Sequence, residues 1–330
     1  MIRIAILGAS GLVGRALTQD FCQRAGVELV ACVRRVPATA KRLSGIEYRC
    51  FESTDLNSVR SAVSGATHTV NCVFGSAATM LKATNNVCEA VLAAGCDRLI
   101  HFSSCAVYGT KSGLVDESTP TGEGVDWYGQ GKIDCEAIVE RHISAGLKAT
   151  ILRPSCVYGP NSYLWIERFG KMLLSRRLGD LGVAGDGYCN LTYIDSLVEA
   201  TWRALERGGD ESATYIISDP EILTWNEYFA EFAKELGAVP LERIAEWQMA
   251  LERKLLAVPL KVGQMICGKI RGLPAGLIPD PVTPSMMRSF ALPVHYKGDE
   301  AVKALGYSPI PRQVGLARSA QWLLSRRSDA

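Results

Sequence analysis

The chain has 330 residues, 48% of them hydrophobic, and its 36 basic and 34 acidic side chains leave a formal charge of +2. Neither sign gathers in a long run, which speaks against a nucleic-acid partner or an anionic membrane surface and for a small-molecule one. Eleven cysteines lie scattered with no Cys-x-x-Cys and no nearby His pair, so they read as reduced thiols acting as small hydrophobes in a cytoplasmic compartment, not as zinc ligands or disulfides.

The first strand is expected over residues 2–7, starting so early that no signal peptide is expected ahead of it. Apolar runs of four to seven residues then alternate with helix-like segments: helix 12–25, strand 28–33, a presumed third strand before helix 55–64, strand 69–74, helix 79–94 and strand 99–102. Unbroken apolar strands in a βαβα rhythm are what a parallel sheet covered by helices on both faces requires, so the fold class is α/β, a doubly wound Rossmann sheet.

The glycines of ILGASGLVG, Gly8, Gly11 and Gly14, fall between the first strand and the first helix. There they allow a tight turn and close approach of a pyrophosphate to the free N–H groups of the helix start, which marks a dinucleotide site. At the end of the second strand, where an NAD binder usually carries Asp or Glu, the chain has Arg34 and Arg35. Arginine suits a 2′-phosphate, so NADP is the expected cofactor, with NAD as the alternative; a solvated loop is the other reading of the pair. Asp55 and Leu56 offer a carboxylate and an apolar side chain to an adenine; a helix-capping Asp55 is the other reading.

Farther on, strand 99–102 runs into Ser103 and Ser104, which places hydroxyls at its carboxyl end. Helix 128–144 opens with YGQGK, in which Tyr128 and Lys132 share one face four residues apart. The pair reads either as a solvated helix turn or as a phenol whose pKa a neighbouring ammonium lowers enough for acid/base work. Strand 148–152 and strand-like pieces 191–194 and 215–217 follow.

The domain expectation is therefore a dinucleotide-binding domain over 1–158, completed by strands within 190–218, and a smaller, mainly helical C-terminal substrate lobe from 159–189 and 219–330. Within that lobe, 255–270 is broken by Pro259, Lys261, Gly263, Gly268 and Lys269, short of the roughly 18 apolar residues a membrane span needs. The longer apolar stretch 247–279 reads as a lid over a hydrophobic substrate, as an oligomer or membrane-surface contact, or as helices packing within the lobe. Trp165 and Trp225 are pocket-lining or core residues on equal grounds.

Taken together, Gly8-x-x-Gly11-x-x-Gly14, FSSCAVYG (102–109), YGQGK (128–132) and LRPSCVYGP (152–160) resemble the extended short-chain dehydrogenase/reductase family, the NAD(P)-dependent epimerase/dehydratase group. TNNVCEAVLAAG (84–95), LTYIDSLVEA (191–200) and DEAVKALGYSP (299–309) look like its later landmarks. The resemblance implies catalytic roles for Ser104 as holder of the substrate oxygen, Tyr128 as acid/base, and Lys132 as ligand of the nicotinamide ribose and depressor of the tyrosine pKa. It implies Gly8, Ser10, Gly11, Leu12, Val13 and Gly14 around the pyrophosphate, Val73, Phe74 and Gly75 on the ribose and adenine side, and Pro154 at the nicotinamide. It also implies a homodimer through helices 79–94 and 128–144.

The departures from that pattern bear on substrate. The two carboxylic residues that follow the catalytic hydroxyl in 4,6-dehydratases are Cys105 and Ala106 here, which argues against dehydration. Where nucleotide-sugar members carry an Asn and a diphosphate-binding Arg, this chain has Cys156 and Cys189, and the usual helix Asn is Met80. Arg168, Lys171, Arg176 and Arg177 offer either a phosphate clamp or a solvated helix face. The function expected is an NADP-dependent ketoreductase or dehydrogenase working on a carbonyl or secondary alcohol. A nucleotide-sugar epimerase with tightly held NAD is the alternative, and a non-catalytic dinucleotide-binding protein stands third.

Overall fold

The computed structural model describes residues 1–39, 42–206, 212–251, 259, 280 and 282–328. Its elements begin β1 (Ile2–Leu7), α1 (Leu12–Phe21), β2 (Val27–Val33), β3 (Ile46–Cys50), α2 (Leu56–Val63), β4 (His68–Asn71), α3 (Ala77–Ala93) and β5 (Arg98–Phe102). They continue with β6 (Gly113–Val115), α4 (Trp127–Ser144), β7 (Ala149–Pro154), β8 (Cys156–Tyr158), α5 (Arg168–Leu174), β9 (Leu191–Tyr193), α6 (Ile194–Glu206), β10 (Ala213–Ile217) and α7 (Trp225–Glu235).

Seven strands form one sheet in the order β10-β7-β5-β4-β1-β2-β3, parallel throughout. The expected doubly wound Rossmann sheet is present. One face packs Ile4 and Ile6 against Leu17, Phe21 and Leu197; the other packs Ala5 and Leu7 against Val59, Val87, Val91 and Val139. Burial on both faces is why these strands read as continuous apolar runs. Strand order reverses at β1, whose Leu7 pairs with Cys32 on one side and Asn71 on the other. A crevice at such a switch point is where open α/β sheets take their ligands.

The chain divides into two compact units: Met1–Val157 with Leu191–Pro220 and Tyr296–Ile310, and Tyr158–Asn190 with Glu221–His295 and Pro311–Ala330. Segment 296–310, expected in the substrate lobe, belongs to the first unit. Its Ala301, Leu305 and Tyr307 are buried in the core with Leu197 and Tyr215, and the apolar spacing of that helix needs this partner. β4 ends at Asn71, earlier than expected, because the Asn71 side chain accepts the Val73 N–H (3.2 Å) and turns the chain.

The second unit, by itself, is built on helices. Thr224 and Glu227 form a capping box at the start of α7, and its core is aromatic, with Trp225 4.8 Å from Phe290 and 5.9 Å from Phe229 between ring centres. Trp225 is buried and donates its indole N–H to the Ser289 carbonyl (3.1 Å), a core role, with the half-buried Trp165 ring 5.6 Å away. The basic cluster is engaged internally: Lys171 pairs with Glu167, Arg176 with Glu242, and Arg177 donates to the Asp280 carbonyl. These contacts favour the helix-face reading over a phosphate clamp. Most of 247–279 lies outside the described residues. Its beginning belongs to the short helix Glu246–Leu251, and Trp247 and Met249 line a cavity of about 440 Å³ with Leu181, Ile244 and Met287. Among the described residues no helix is long and apolar enough to cross a membrane.

Candidate active site

The glycine loop follows β1 directly. Gly8 has φ +85°, and a Cβ there would stand 2.9 Å from the Cys72 carbonyl oxygen, so both backbone conformation and the neighbouring β4–α3 connection demand glycine. A Cβ on Gly14 would overlap the Gly8 carbonyl. The Gly8 and Ala9 N–H groups both donate to the Cys32 carbonyl (3.1 Å each), tying the loop to β2. Gly11 precedes α1 and supplies no side-chain cap. Leu12 and Val13 are half-buried and Ser10 is exposed at the same place. A ten-residue helix starting uncapped behind a tight glycine turn fits a pyrophosphate, whose charge meets the positive end of the helix dipole.

Arg34 and Arg35 are exposed just past β2, and among the described residues neither is in an ion pair. Asp55 is the N-cap of α2, accepting the Asn57 N–H at 3.0 Å. The capping reading thus has a direct partner; Leu56 opens the helix, half-buried. Val73, Phe74 and Gly75 follow β4, next to the glycine loop, and Phe74 turns its ring edge-on to Tyr128 with centroids 5.8 Å apart. Pro154 is buried at the end of β7.

Ser104, Tyr128 and Lys132 come together. Ser104 caps the 3-10 turn Cys105–Tyr108, its Oγ accepting the Ala106 N–H at 3.1 Å. Asp126 caps α4 by accepting the Tyr128 and Gly129 N–H groups at 3.0 and 2.9 Å. That cap fixes the first turn of α4, so Tyr128 and Lys132 point to one side. The Ser104 hydroxyl lies near enough to the Tyr128 phenol to act on its protonation. Lys132 is 5% exposed, donates to the Phe102 carbonyl (2.6 Å), and holds its Nζ 5.9 Å from the Tyr128 ring centre.

The two glycines of YGQGK let this happen. A Cβ on Gly129 would stand 2.5 Å from the Ala106 carbonyl oxygen, and one on Gly131 3.1 Å from Met80 Cε. α4 therefore lies close against both the Ser104 turn and α3. Met80, at the position of the family's usual Asn, is buried packing with no polar role.

Burial raises the Tyr128 phenol above its ordinary value, the Ser104 hydroxyl opposes it, and Asp126 adds to the rise. Burial likewise lowers Lys132. Desolvation is the largest influence on both groups, acting against the charged form of each.

Two features went unread in the sequence. His101 on β5 is buried with Nδ1 3.2 Å from Asn71 Nδ2, and burial, helped by the Lys132 charge, pushes its pKa down to about 3. Arg153 on β7 forms a buried bidentate pair with Glu136, four residues past Lys132. The only sequence signal for it was a charged residue inside an otherwise apolar strand, which demands a partner. Among the described residues no His, Cys, Asp and Glu group could hold a metal ion.

A family model described as the NAD dependent epimerase/dehydratase family matches residues 4–218. The chain is 28% identical over 264 residues to Arabidopsis thaliana 3beta-hydroxysteroid-dehydrogenase/decarboxylase isoform 1, covering 72% of this chain and 56% of that one. With isoform 2 at 43% coverage, the chain spans about half the length of these curated relatives. It is 25% identical over 160 residues to the Escherichia coli O157:H7 N-acetyl-alpha-D-glucosaminyl-diphospho-ditrans,octacis-undecaprenol 4-epimerase, 48% of each chain. Its fold is similar to that of UDP-glucuronic acid 4-epimerase from Bacillus cereus in complex with NAD, with TM-score 0.73, 18% identity, and 98% and 96% of the two chains covered. The chain belongs to the NAD dependent epimerase/dehydratase family.

Proposed function

We propose that this family member is an oxidoreductase that interconverts a secondary alcohol and its ketone with a dissociable nicotinamide dinucleotide, NADP in preference to NAD. The observation that carries the reading is the gathering of Ser104 and Tyr128 beside the buried Lys132, whose Nζ lies 5.9 Å from the Tyr128 ring centre. The cofactor, when bound, supplies or takes the hydride. Ser104 holds the substrate oxygen, and Tyr128 passes a proton to it as negative charge develops. A protonated phenol can give its proton to the alkoxide as a ketone is reduced, and take it back in the reverse reaction. Lys132, anchored on the Phe102 carbonyl, orients the ribose. The loop from Gly8 to Gly14 with Ser10, Leu12 and Val13 seats the pyrophosphate, Val73, Phe74, Gly75 and Pro154 flank the rest, and Arg34 with Arg35 meets a 2′-phosphate.

A second reading is a nucleotide-sugar epimerase that retains NAD. The family description and the 4-epimerase relative speak for it more directly than for the first; the plant relative's dehydrogenase name and the arginines after β2 speak for the first. Both share the same half-reaction at Tyr128. Purified protein that binds added NADPH and oxidises it with a ketone supports the oxidoreductase. Protein that carries one tightly bound NAD and turns over no added NADPH supports the epimerase. No described cysteine is in a disulfide; a reducing cytoplasm and a homodimer through α3 and α4 complete the proposal.

A further inference from the structure

One guanidinium joins three elements of the first unit. Arg153, on β7 and immediately before Pro154, donates from Nε and Nη2 to the two Glu136 oxygens (2.9 and 2.6 Å) and from Nη1 to the Tyr108 hydroxyl (2.7 Å). Glu136 continues the α4 face that carries Tyr128 and Lys132, at the same four-residue spacing. Tyr108, buried, ends the 3-10 turn that Ser104 begins. The Arg153 carbonyl in turn accepts the Cys105 thiol at 3.1 Å.

Such a network is a poor device for stability alone. Taking a carboxylate and a guanidinium out of water costs about as much as their attraction returns, and apolar replacements of similar size commonly leave stability intact or raise it. Its geometry is another matter: the planar fork fixes Glu136 bidentately while its third arm fixes a phenol on a different element. The distance between the Ser104 hydroxyl and the Tyr128 phenol is set by where the 3-10 turn sits relative to α4, and the guanidinium spans both.

We infer that Arg153 is a positioning residue, acting through Tyr108 and Glu136 to hold Ser104 in register with Tyr128. The inference rests on the proposed role of that pair, and its test reads the pair without turnover.

The probe is the ring-carbon NMR signal of Tyr128 in protein labelled with carbon-13 at the tyrosine Cζ, assigned by its loss in Tyr128→Phe. Ser104→Ala is expected to displace this signal by removing the hydroxyl that acts on the phenol. Tyr108→Phe, which deletes one hydroxyl, is expected to displace it in the same direction, and combining it with Ser104→Ala is expected to add nothing further. The pair Glu136→Met with Arg153→Met is expected to keep its melting temperature and show the same displacement. Wherever turnover is measurable, kcat is expected to fall about tenfold with dinucleotide affinity unchanged. An unmoved Tyr128 signal in folded Tyr108→Phe, or a displacement that adds in full to that of Ser104→Ala, overturns the inference. A wild-type protein that transfers no hydride overturns the functional reading instead, while the NMR result still decides the role of Arg153.

Discussion

Gly129, next to the proposed acid, sits so close to Ala106, two residues past the proposed oxygen holder, that a single methyl would stand 2.5 Å from the Ala106 carbonyl oxygen. The contact presses the start of α4 onto the Ser104 turn. Gly129→Ala is expected to push them apart, destabilising the protein by about 1–3 kcal/mol and lowering kcat/KM about tenfold or more. Thermal melting and steady-state kinetics check both. A methyl accepted with neither effect means the Ser104–Tyr128 spacing is not set here.

Removing the phenolic oxygen isolates proton transfer. Tyr128→Phe keeps the ring against Phe74 and Trp127 and is expected to melt near the wild-type temperature, bind dinucleotide as before, and lose about 10²–10⁴-fold in kcat. Equal rates in the two proteins would remove Tyr128 from the chemistry.

Cofactor choice is expected to turn on Arg34 and Arg35. Arg34→Asp with Arg35→Ser is expected to weaken NADPH about tenfold to a hundredfold while leaving NADH within about twofold, since only the phosphorylated form loses a charge-assisted contact. Isothermal titration with both dinucleotides reads this. NADH preferred by the wild type, or NADPH unaffected in the variant, favours the retained-NAD reading.

Acid stability has a named source in His101. Its folded pKa is pushed down to about 3 from an ordinary 6.5 by burial first and the Lys132 charge second. Between those values the unfolded chain binds the extra proton, so stability falls as pH drops below 6.5. The loss reaches about 2 kcal/mol by about pH 5. Denaturant unfolding across that range is expected to show the slope in the wild type and a flatter one in His101→Asn. Parallel slopes would assign the acid sensitivity elsewhere.

Much of the fold was legible because its strands are buried on both faces: β1, IRIAIL, cannot be mistaken once Gly8 follows it. β3 was only presumed. As an edge strand it alternates, with Glu47 paired to Arg3 and Arg49, and so shows no apolar run. The proposed catalytic trio was suggested by short spacings and resemblance, and its polar surroundings were not. Arg153 finds Glu136 and Tyr108 across 17 and 45 residues of chain, and His101 finds Asn71 across 30. Such partners are chosen by sheet order and helix placement, which no local pattern encodes. The raised phenol pKa was hidden for the same reason, because spacing reveals a nearby lysine but not how much water has been excluded around both groups.

The most direct measurement follows the hydride. Reduced dinucleotide deuterated at the nicotinamide C4 is incubated with wild type and Tyr128→Phe and a panel of cyclic ketones and keto-sugars, and products are read by mass spectrometry. Deuterium on the carbinol carbon of a product made by the wild type, and its near absence with Tyr128→Phe, is the expected result. Label transferred at equal rates by both proteins would contradict the account.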